Sequence, residues 1–303
     1  MSGAASGETT WTVARLLSWT QEYFQRQGLE SGRLCAEILL AHAMQCERIR
    51  LYTRHEEQPP QDVRDRFRTL VRDAAAGKPI AYLTGEKEFF SLAFEVTPDV
   101  LIPRPETEIL VERTISLARR TPDAVRSILD IGTGSGCIAI SLAHELEETR
   151  VAAGDVSDAA LVIAKRNAER HHVAERIDFR AGDLFTPWYD TNGDPLVFDV
   201  IVSNPPYIAT VDAPVEDSVK DFEPHAALFA GTDGLDLIRR LLVKAPRHLT
   251  PGGHLLMEMA FDQADAVRQL VRAPYYKDVV TYRDAANHER VLHVQRTDDA
   301  PMT

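Results

Sequence analysis

Asn204-Pro205-Pro206-Tyr207 closes the apolar run Phe198-Asp199-Val200-Ile201-Val202-Ser203 with an amide, a proline carbonyl and an aromatic ring. The run reads as a short buried strand stopped by two prolines. The trio suits a planar, neutral NH2 group: Asn204 Oδ1 and the Pro205 carbonyl each accept one N–H, and Tyr207 stacks on the plane. An amide or aromatic amine is a poor nucleophile because its lone pair is delocalised. Holding both hydrogens so that the lone pair faces an electrophilic carbon activates it by positioning and differential binding. By itself the tetrapeptide also reads as a strand followed by a plain Pro-Pro turn. A segment upstream decides between the two.

That segment is Leu129-Asp130-Ile131-Gly132-Thr133-Gly134-Ser135-Gly136-Cys137, at a strand-to-helix junction. Gly132, Gly134 and Gly136, with Thr133 and Ser135 between them, let the backbone turn tightly where a helix start offers free N–H groups to a ligand. About 20 residues on, the next strand ends at Asp155, placed to accept hydrogen bonds from both hydroxyls of a ribose. A third acid, Asp183 in Gly182-Asp183-Leu184-Phe185, follows the third strand, where an adenine amino group would lie. The spacing Gly132-x-Gly134-x-Gly136 departs from the G-x-G-x-x-G fingerprint of NAD sites. Asp130, just before the glycines, is suited to the cationic aminopropyl arm of a sulfonium ligand. An acid at the end of each of three successive strands favours S-adenosylmethionine over NAD. Ligands of open α/β sheets sit at the carboxyl ends of the strands, which puts the Asn204 motif beside that site.

Composition narrows the classes. The chain has 303 residues, enough for about two domains, with 44% apolar and 26% charged residues. Its net charge of −12 lacks the basic footprint of a protein held on nucleic acid by phosphate contacts, and suits a protein substrate with a basic surface. Cys35, Cys46 and Cys137 form no CxxC pair, so no disulfide framework or zinc site is expected, and Cys137 reads as a small buried residue at a helix start. Met1 to Thr10 carries no basic or apolar leader, and no run approaches the roughly 20 apolar residues of a membrane span. A cytoplasmic protein is expected. The histidines, His42 and His144 among them, read as structural or solvated.

The elements that must position these groups divide at residues 78–105. Before it the pattern is helical. Val13, Leu16, Leu17, Tyr23 and Phe24 recur at helical spacing up to Gly28, and Ser31 is expected to cap a second helix. Pro59-Pro60 opens a third, with Val63, Phe67, Leu70 and Val71 on its apolar face. Glu88 to Val96 has strand character and Pro98, Pro103 and Pro105 follow it, which reads as a β-hairpin or extended connector. From Thr107 onward helices and strands alternate, with strands expected at Ser127 to Ile131, Arg150 to Ala153, Ile177 to Arg180, Phe198 to Val202 and His254 to Met259. Such units give a parallel sheet covered on both faces. Lys277 to Tyr282 and Val291 to Arg296, with no helix between them, predict an antiparallel edge. The resulting division is a helical bundle over 1–77, a connector over 78–105, an α/β catalytic domain over 106–297 and a tail over 298–303.

On these residues the chain resembles the HemK/PrmC family of protein-(glutamine-N5) methyltransferases. Asp130 to Gly136, Ser203 to Ile208, Val100-Leu101-Ile102-Pro103-Arg104-Pro105-Glu106-Thr107-Glu108 and Glu223 to Gly231 through Gly234-Leu235 carry the likeness, which extends over about residues 12 to 296. Asn-Pro-Pro-Tyr alone is shared with DNA adenine-N6 methyltransferases. The Pro-Glu-Thr-Glu after Arg104 separates the chain from sister enzymes for a ribosomal protein, which have Ser-Pro there. The resemblance implies a seven-stranded Rossmann-like methyltransferase domain behind a small helical domain that helps to grip a class I peptide-chain release factor. The acceptor would be the glutamine of the Gly-Gly-Gln motif. By position, Asn204, Pro205, Pro206 and Tyr207 would hold that amide, with Asn204 also bordering the cofactor. Gly132, Thr133, Gly134, Ser135, Gly136, Asp130 and Asp155 would hold S-adenosylmethionine, and Asp183 with Leu184 would border its adenine. Arg104 and Glu106 would shape the pocket between cofactor and substrate, or serve the connector structurally. Gly154, before Asp155, stands where an apolar residue is usual, and the carboxylate should stay in place. The implied chemistry is an in-line methyl transfer to nitrogen, leaving S-adenosylhomocysteine, with neither a metal nor a dedicated base. A monomer without nucleic-acid or membrane partners is expected. The rivals are a ribosomal-protein glutamine methyltransferase, a DNA adenine methyltransferase and a non-catalytic protein that has kept the fold.

Overall fold

The computed structural model describes residues 10–121, 124–211 and 217–299. The leader reading over residues 1–9 and the tail from 300 lie outside the described residues. In chain order the helical segment comprises α1 (Val13–Arg26), α2 (Gly32–Ala43), α3 (Arg50–Thr53), α4 (Gln61–Ala75) and α5 (Ile80–Thr84). A hairpin follows, β1 (Glu86–Phe89) and β2 (Leu92–Glu95), then α6 (Glu108–Arg120). The alternating region runs β3 (Ser127–Ile131), α7 (Cys137–Glu145), β4 (Arg150–Asp155), α8 (Asp158–Arg170), β5 (Ile177–Ala181) and β6 (Phe198–Ser203). After α9 (Asp217–Phe222) and α10 (His225–Leu228) come α11 (Asp236–His248), β7 (Leu249–Glu258), α12 (Ala264–Leu270), β8 (Tyr276–Arg283) and β9 (Glu289–Arg296). The chain forms two compact units, Met1–Gly85 with Asp217–Phe222, and Glu86–Glu216 with Glu223–Thr303. The division at Gly85 falls inside the stretch that reads as connector.

The helical unit closes around Val13, Leu16, Phe24, Leu39, Leu40, Leu51, Phe67 and Val71, all buried. Thr12 caps α1, its side chain accepting from Arg15 N. Ser31 stands at the corresponding position of α2, but its φ of 54 turns the hydroxyl away and it makes no side-chain cap. The capping expected there is corrected: the left-handed backbone that lets the chain turn is incompatible with the extended geometry a serine cap needs. The short α3 and α5 leave no periodic signal in the sequence, because one turn of helix cannot show a repeat.

The larger unit is built on a seven-stranded sheet in the order β5-β4-β3-β6-β7-β9-β8. The pairs β3·β4, β3·β6, β4·β5 and β6·β7 are parallel, while β9 pairs antiparallel with both β7 and β8. Alternate residues face opposite sides. Ile128, Val151, Val200, Val202 and Leu256 pack with α6, α7 and the hairpin phenylalanines Phe89 and Phe94. Leu129, Ile131, Ala152, Ile201, Leu255 and Met257 pack with α11, α12, Phe185 and Trp188 on the other face. Burial on both faces is why the strands read as short apolar runs in the sequence.

Candidate functional site at the carboxyl edge of the sheet

The parallel register brings the carboxyl ends of neighbouring strands together. Ile131 pairs with Gly154 on one side and with Ser203 on the other, and Ser203 pairs with Met257. Asp130 to Gly136, Asp155, Asn204 and Glu258 therefore emerge along one edge. Asp183 and Leu184 follow β5 at the end of the same edge.

The glycine loop needs its glycines. Gly132, Gly134 and Gly136 have φ of 75, 56 and 83, conformations that cost other residues on the order of 1 kcal/mol or more each. A Cβ on Gly136 would also meet Ile140 Cδ1 at 2.8 Å. Gly132 N and Thr133 N both donate to the Gly154 carbonyl, at 2.8 and 3.0 Å, and Gly134 N donates to Asp155 Oδ2 at 2.9 Å. The second Asp155 oxygen accepts from Ser157 N at 2.9 Å. Burial holds the Asp155 carboxyl above its ordinary range. Each oxygen keeps a further lone pair for a ligand. Gly154 has a packing reason: a Cβ there would meet Trp188 Nε1 at 3.2 Å and Cζ2 at 3.3 Å. From the other side Asn167, fully buried, donates to the Ser135 carbonyl at 2.9 Å and pairs with both backbone groups of Glu95 on the hairpin.

Asp130 is 0% exposed; Thr133 Oγ1 donates to its Oδ2 at 2.7 Å, the Ala139 backbone N–H also acts on the carboxyl, and Oδ1 has no well-formed hydrogen bond among the described residues. Burial pushes this carboxyl up to about 7. Cys137, buried beside it, has its thiol pushed up to about 12 by burial, which leaves it unreactive near neutral pH. Asp183 is exposed, and its carboxylate is ion-paired with Arg240 of α11; Leu184 takes φ 52 and packs on the core.

Asn204 Nδ2 donates to Thr107 Oγ1 at 3.0 Å. Thr107 in turn donates to Glu258 Oε2 at 2.7 Å, and Tyr207 Oη donates to Glu258 Oε1 at 3.1 Å. Glu258 is 1% exposed, and burial pushes its carboxyl up to about 7. Because the Thr107 proton is directed at Glu258, the hydroxyl oxygen must accept from Asn204. With a charged Glu258 this assigns the Nδ2 end of the amide to Thr107 and leaves Oδ1 as the free acceptor. The backbone after Asn204 is held as well. Gln263 Nε2 donates to the Tyr207 carbonyl at 2.9 Å, while Ile208 forms a short parallel bridge with Phe229, its N–H donating to the Leu228 carbonyl and its carbonyl accepting from Ala230 N, both at 2.9 Å. Glu223, buried, pairs with the Arg104 guanidinium and accepts from Ile102 N at 3.1 Å, which ties Arg104 to the start of that bridging segment. Glu106 is half-buried, and its charge acts on Glu258.

Two family models match the chain, the PrmC N-terminal domain over residues 15–85 and the methyltransferase small domain over residues 107–222. A release factor glutamine methyltransferase of Rhodopirellula baltica is 43% identical over 96% of this chain and 98% of its own length. One of Geobacter sulfurreducens is 40% identical over 93% of this chain and 96% of its own. The chain belongs to the release factor glutamine methyltransferase family. Among solved structures, the catalytic domain of hMettl16 in complex with MAT2A 3'UTR hairpin 1 superposes with a TM-score of 0.55, at 17% identity over 76% of this chain and 83% of that one; this likeness concerns the fold alone.

Within this family member, the residues to which sequence reasoning gave no role in the site are the supports: Glu258, Gln263, and Glu223 and Thr107, which it read only as part of the family resemblance. Glu258 had a signal. It is an acid at the end of an apolar strand, the same rule that selects Asp155. Gly234 is another support. Its φ is 74, and a Cβ would lie 2.2 Å from the Tyr207 carbonyl oxygen and 2.8 Å from Gln263 Nε2. Gly234→Ala is therefore expected to destabilise the fold by roughly 2 kcal/mol or more. Thermal unfolding checks this, and an unchanged midpoint would show that the Tyr207 turn is not held against Gly234.

Proposed function

We propose that this protein transfers a methyl group from S-adenosylmethionine to the side-chain amide nitrogen of the glutamine in the Gly-Gly-Gln motif of class I release factors. The observation that carries the reading is the committed orientation of Asn204. With Nδ2 held by Thr107, Oδ1 is left to act with the adjacent Pro205 carbonyl as the pair of acceptors for one NH2 group, on which Tyr207 would stack. A hydroxyl or thiol acceptor would not need two such oxygens.

The glycine loop fits the cofactor on its own terms. Asp130 is a fully buried acid whose Oδ1 lacks a well-formed hydrogen bond among the described residues, a costly arrangement unless a positive charge is delivered to it. Asp130 would receive the cationic arm, Gly132 to Gly136 the backbone approach, and Asp155 the ribose hydroxyls. Asp183, released from Arg240 or sharing it, would border the adenine with Leu184. When bound, S-adenosylmethionine supplies a methyl group already activated by the charge on sulfur.

The protein then orients the amide. Asn204 and Pro205 fix its plane and strengthen their hydrogen bonds as the NH2 hydrogens become more acidic, so the stabilisation is greater in the transition state than in the ground state. Arg104, fixed by Glu223, and Glu106 would flank the entering chain.

The test is labelled methyl transfer to a purified class I release factor, to the same factor with its motif glutamine changed to alanine, and to unmethylated duplex DNA. Label on the wild-type factor alone is expected. Label on DNA, or on the alanine factor, would overturn the substrate assignment.

A proton-release experiment tests the Asp130 role. A cation beside a carboxyl that titrates near 7 drives it to ionise, so cofactor binding near pH 6 should release a proton and the release should fade by about pH 8. Calorimetry in two buffers of different ionisation enthalpy reads this directly. Release of the same size from Asp130→Asn would assign the proton elsewhere.

A further inference from the structure

Glu258 lies behind the clamp, too deep to touch a substrate, yet both arms of the clamp end on it. Thr107 Oγ1 donates to one of its oxygens and Tyr207 Oη to the other, and Asn204 reaches it through Thr107. A carboxylate is the one side chain that accepts both hydroxyl protons at once. An amide would accept one and present a donor to the other.

Resting on the proposed reaction, we infer that Glu258 is a positioning residue whose negative charge, relayed through the hydroxyls of Thr107 and Tyr207, sharpens Asn204 and Tyr207 for the positive charge that develops on the methylated nitrogen. The direction of each hydrogen bond carries the argument. A negative acceptor at the end of the Asn204 Nδ2–Thr107–Glu258 chain draws the Nδ2 protons outward and increases the electron density on Asn204 Oδ1. The same charge pulls on the Tyr207 hydroxyl proton and enriches the ring that would stack on the acceptor amide. Both effects favour a group that is becoming cationic. The buried site makes the charge effective at this distance, because little solvent screens it.

The charged surroundings are consistent with an ionisable group held in balance. Arg290 on β9 favours the charged form, but its guanidinium is already bonded to Asp284 at 2.9 Å. Glu106 disfavours it, and Tyr207 and Cys137 carry no charge near neutral pH. With the Glu258 carboxyl pushed up to about 7 by burial, the charge is present above that pH and lost below it. Turnover at saturating cofactor and release factor should accordingly fall as pH drops through about 7, a condition under which Asp130 is already ionised by the bound cation.

Glu258→Gln keeps the size, removes the charge and turns a donor toward one of the two hydroxyls, and the pH profile separates the loss of charge from the change in hydrogen bonding. The expected result is a turnover lowered by on the order of tenfold or more, release-factor KM and cofactor Kd within about threefold of wild type, and no acid limb near pH 7. Thr107→Val should lower turnover in the same way, and Thr107→Ser should restore it. Turnover of Glu258→Gln within twofold of wild type, or an unchanged acid limb, would overturn the inference. If Glu258→Gln does not fold, equal turnover by Thr107→Val and Thr107→Ser would overturn it instead. A wild-type protein that labels no release factor would sink the proposed reaction and this inference together. A labelling wild type with a fully active Glu258→Gln would sink the inference alone.

Discussion

Asn204→Ala should lower turnover by on the order of a hundredfold or more, equivalent to roughly 2.7 kcal/mol of transition-state stabilisation, while cofactor affinity stays near that of wild type. The size follows from what the side chain is asked to do. In the proposed reaction its Oδ1 would be one of two acceptors that set the plane of the amide, and misaligning a weak nucleophile forfeits most of the benefit of holding it close. Its Nδ2 is bonded to Thr107, so the variant also leaves a buried hydroxyl with one partner fewer. The fold should survive, because Ser203, which locks the end of β6 to the Ile131 carbonyl at 2.7 Å, is untouched. Turnover within threefold of wild type would refute the clamp. Loss of cofactor affinity in step with turnover would move Asn204 from the acceptor side of the site to the cofactor side.

Asp155→Ala should behave in the opposite way, weakening cofactor binding by about a hundredfold with a smaller effect on turnover at saturation. Hydrogen bonds to a charged acceptor contribute roughly 1.5–3 kcal/mol each, and the ribose would lose up to two of them. A second loss is built into the geometry. Asp155 Oδ2 also accepts from Gly134 N, so its removal unties the glycine loop from the end of β4. Asp155→Asn retains an acceptor for Gly134 and is expected to fall between the two. Titration calorimetry with S-adenosylmethionine measures all three proteins, and an unchanged Kd for Asp155→Ala would remove Asp155 from the cofactor site.

These two effects separate because the sheet separates their causes. Asp155 ends β4 and Asn204 follows β6, on opposite sides of β3, whose own end carries the glycine loop. The order β4-β3-β6 sets the glycine loop between Asp155 and Asn204, which in the proposed reaction would be the ribose acceptor and the amide clamp. The same order explains why the helix α7 begins at the site: its first turn follows Gly136 directly.

The sequence by itself determined the elements that repeat or that obey local rules. The strands of the parallel sheet are apolar runs because both faces are covered, and their positions could be read to within two residues except at β7, expected from His254, whose first half, Leu249 to Gly253, has no apolar run to mark it. The glycine loop was legible because positive φ at Gly132, Gly134 and Gly136 tolerates little else. The places of Asp155 and Asn204 at strand ends were legible because an apolar run stops at each, and strand ends of an open sheet are where ligands bind. Tertiary structure decided what those residues are bonded to. Thr107 and Glu258 are 151 residues apart and meet only because the turn before α6 packs against the end of β7. Thr107 and Asn204 are 97 apart. Hydrogen-bond direction across such distances depends on side-chain placement to within an ångström, and no local pattern encodes it. Gly154 shows the same limit in reverse. It breaks the apolar pattern of β4 for the sake of Trp188, a residue from a different connection, so its reason becomes visible only when the indole is found lying against it.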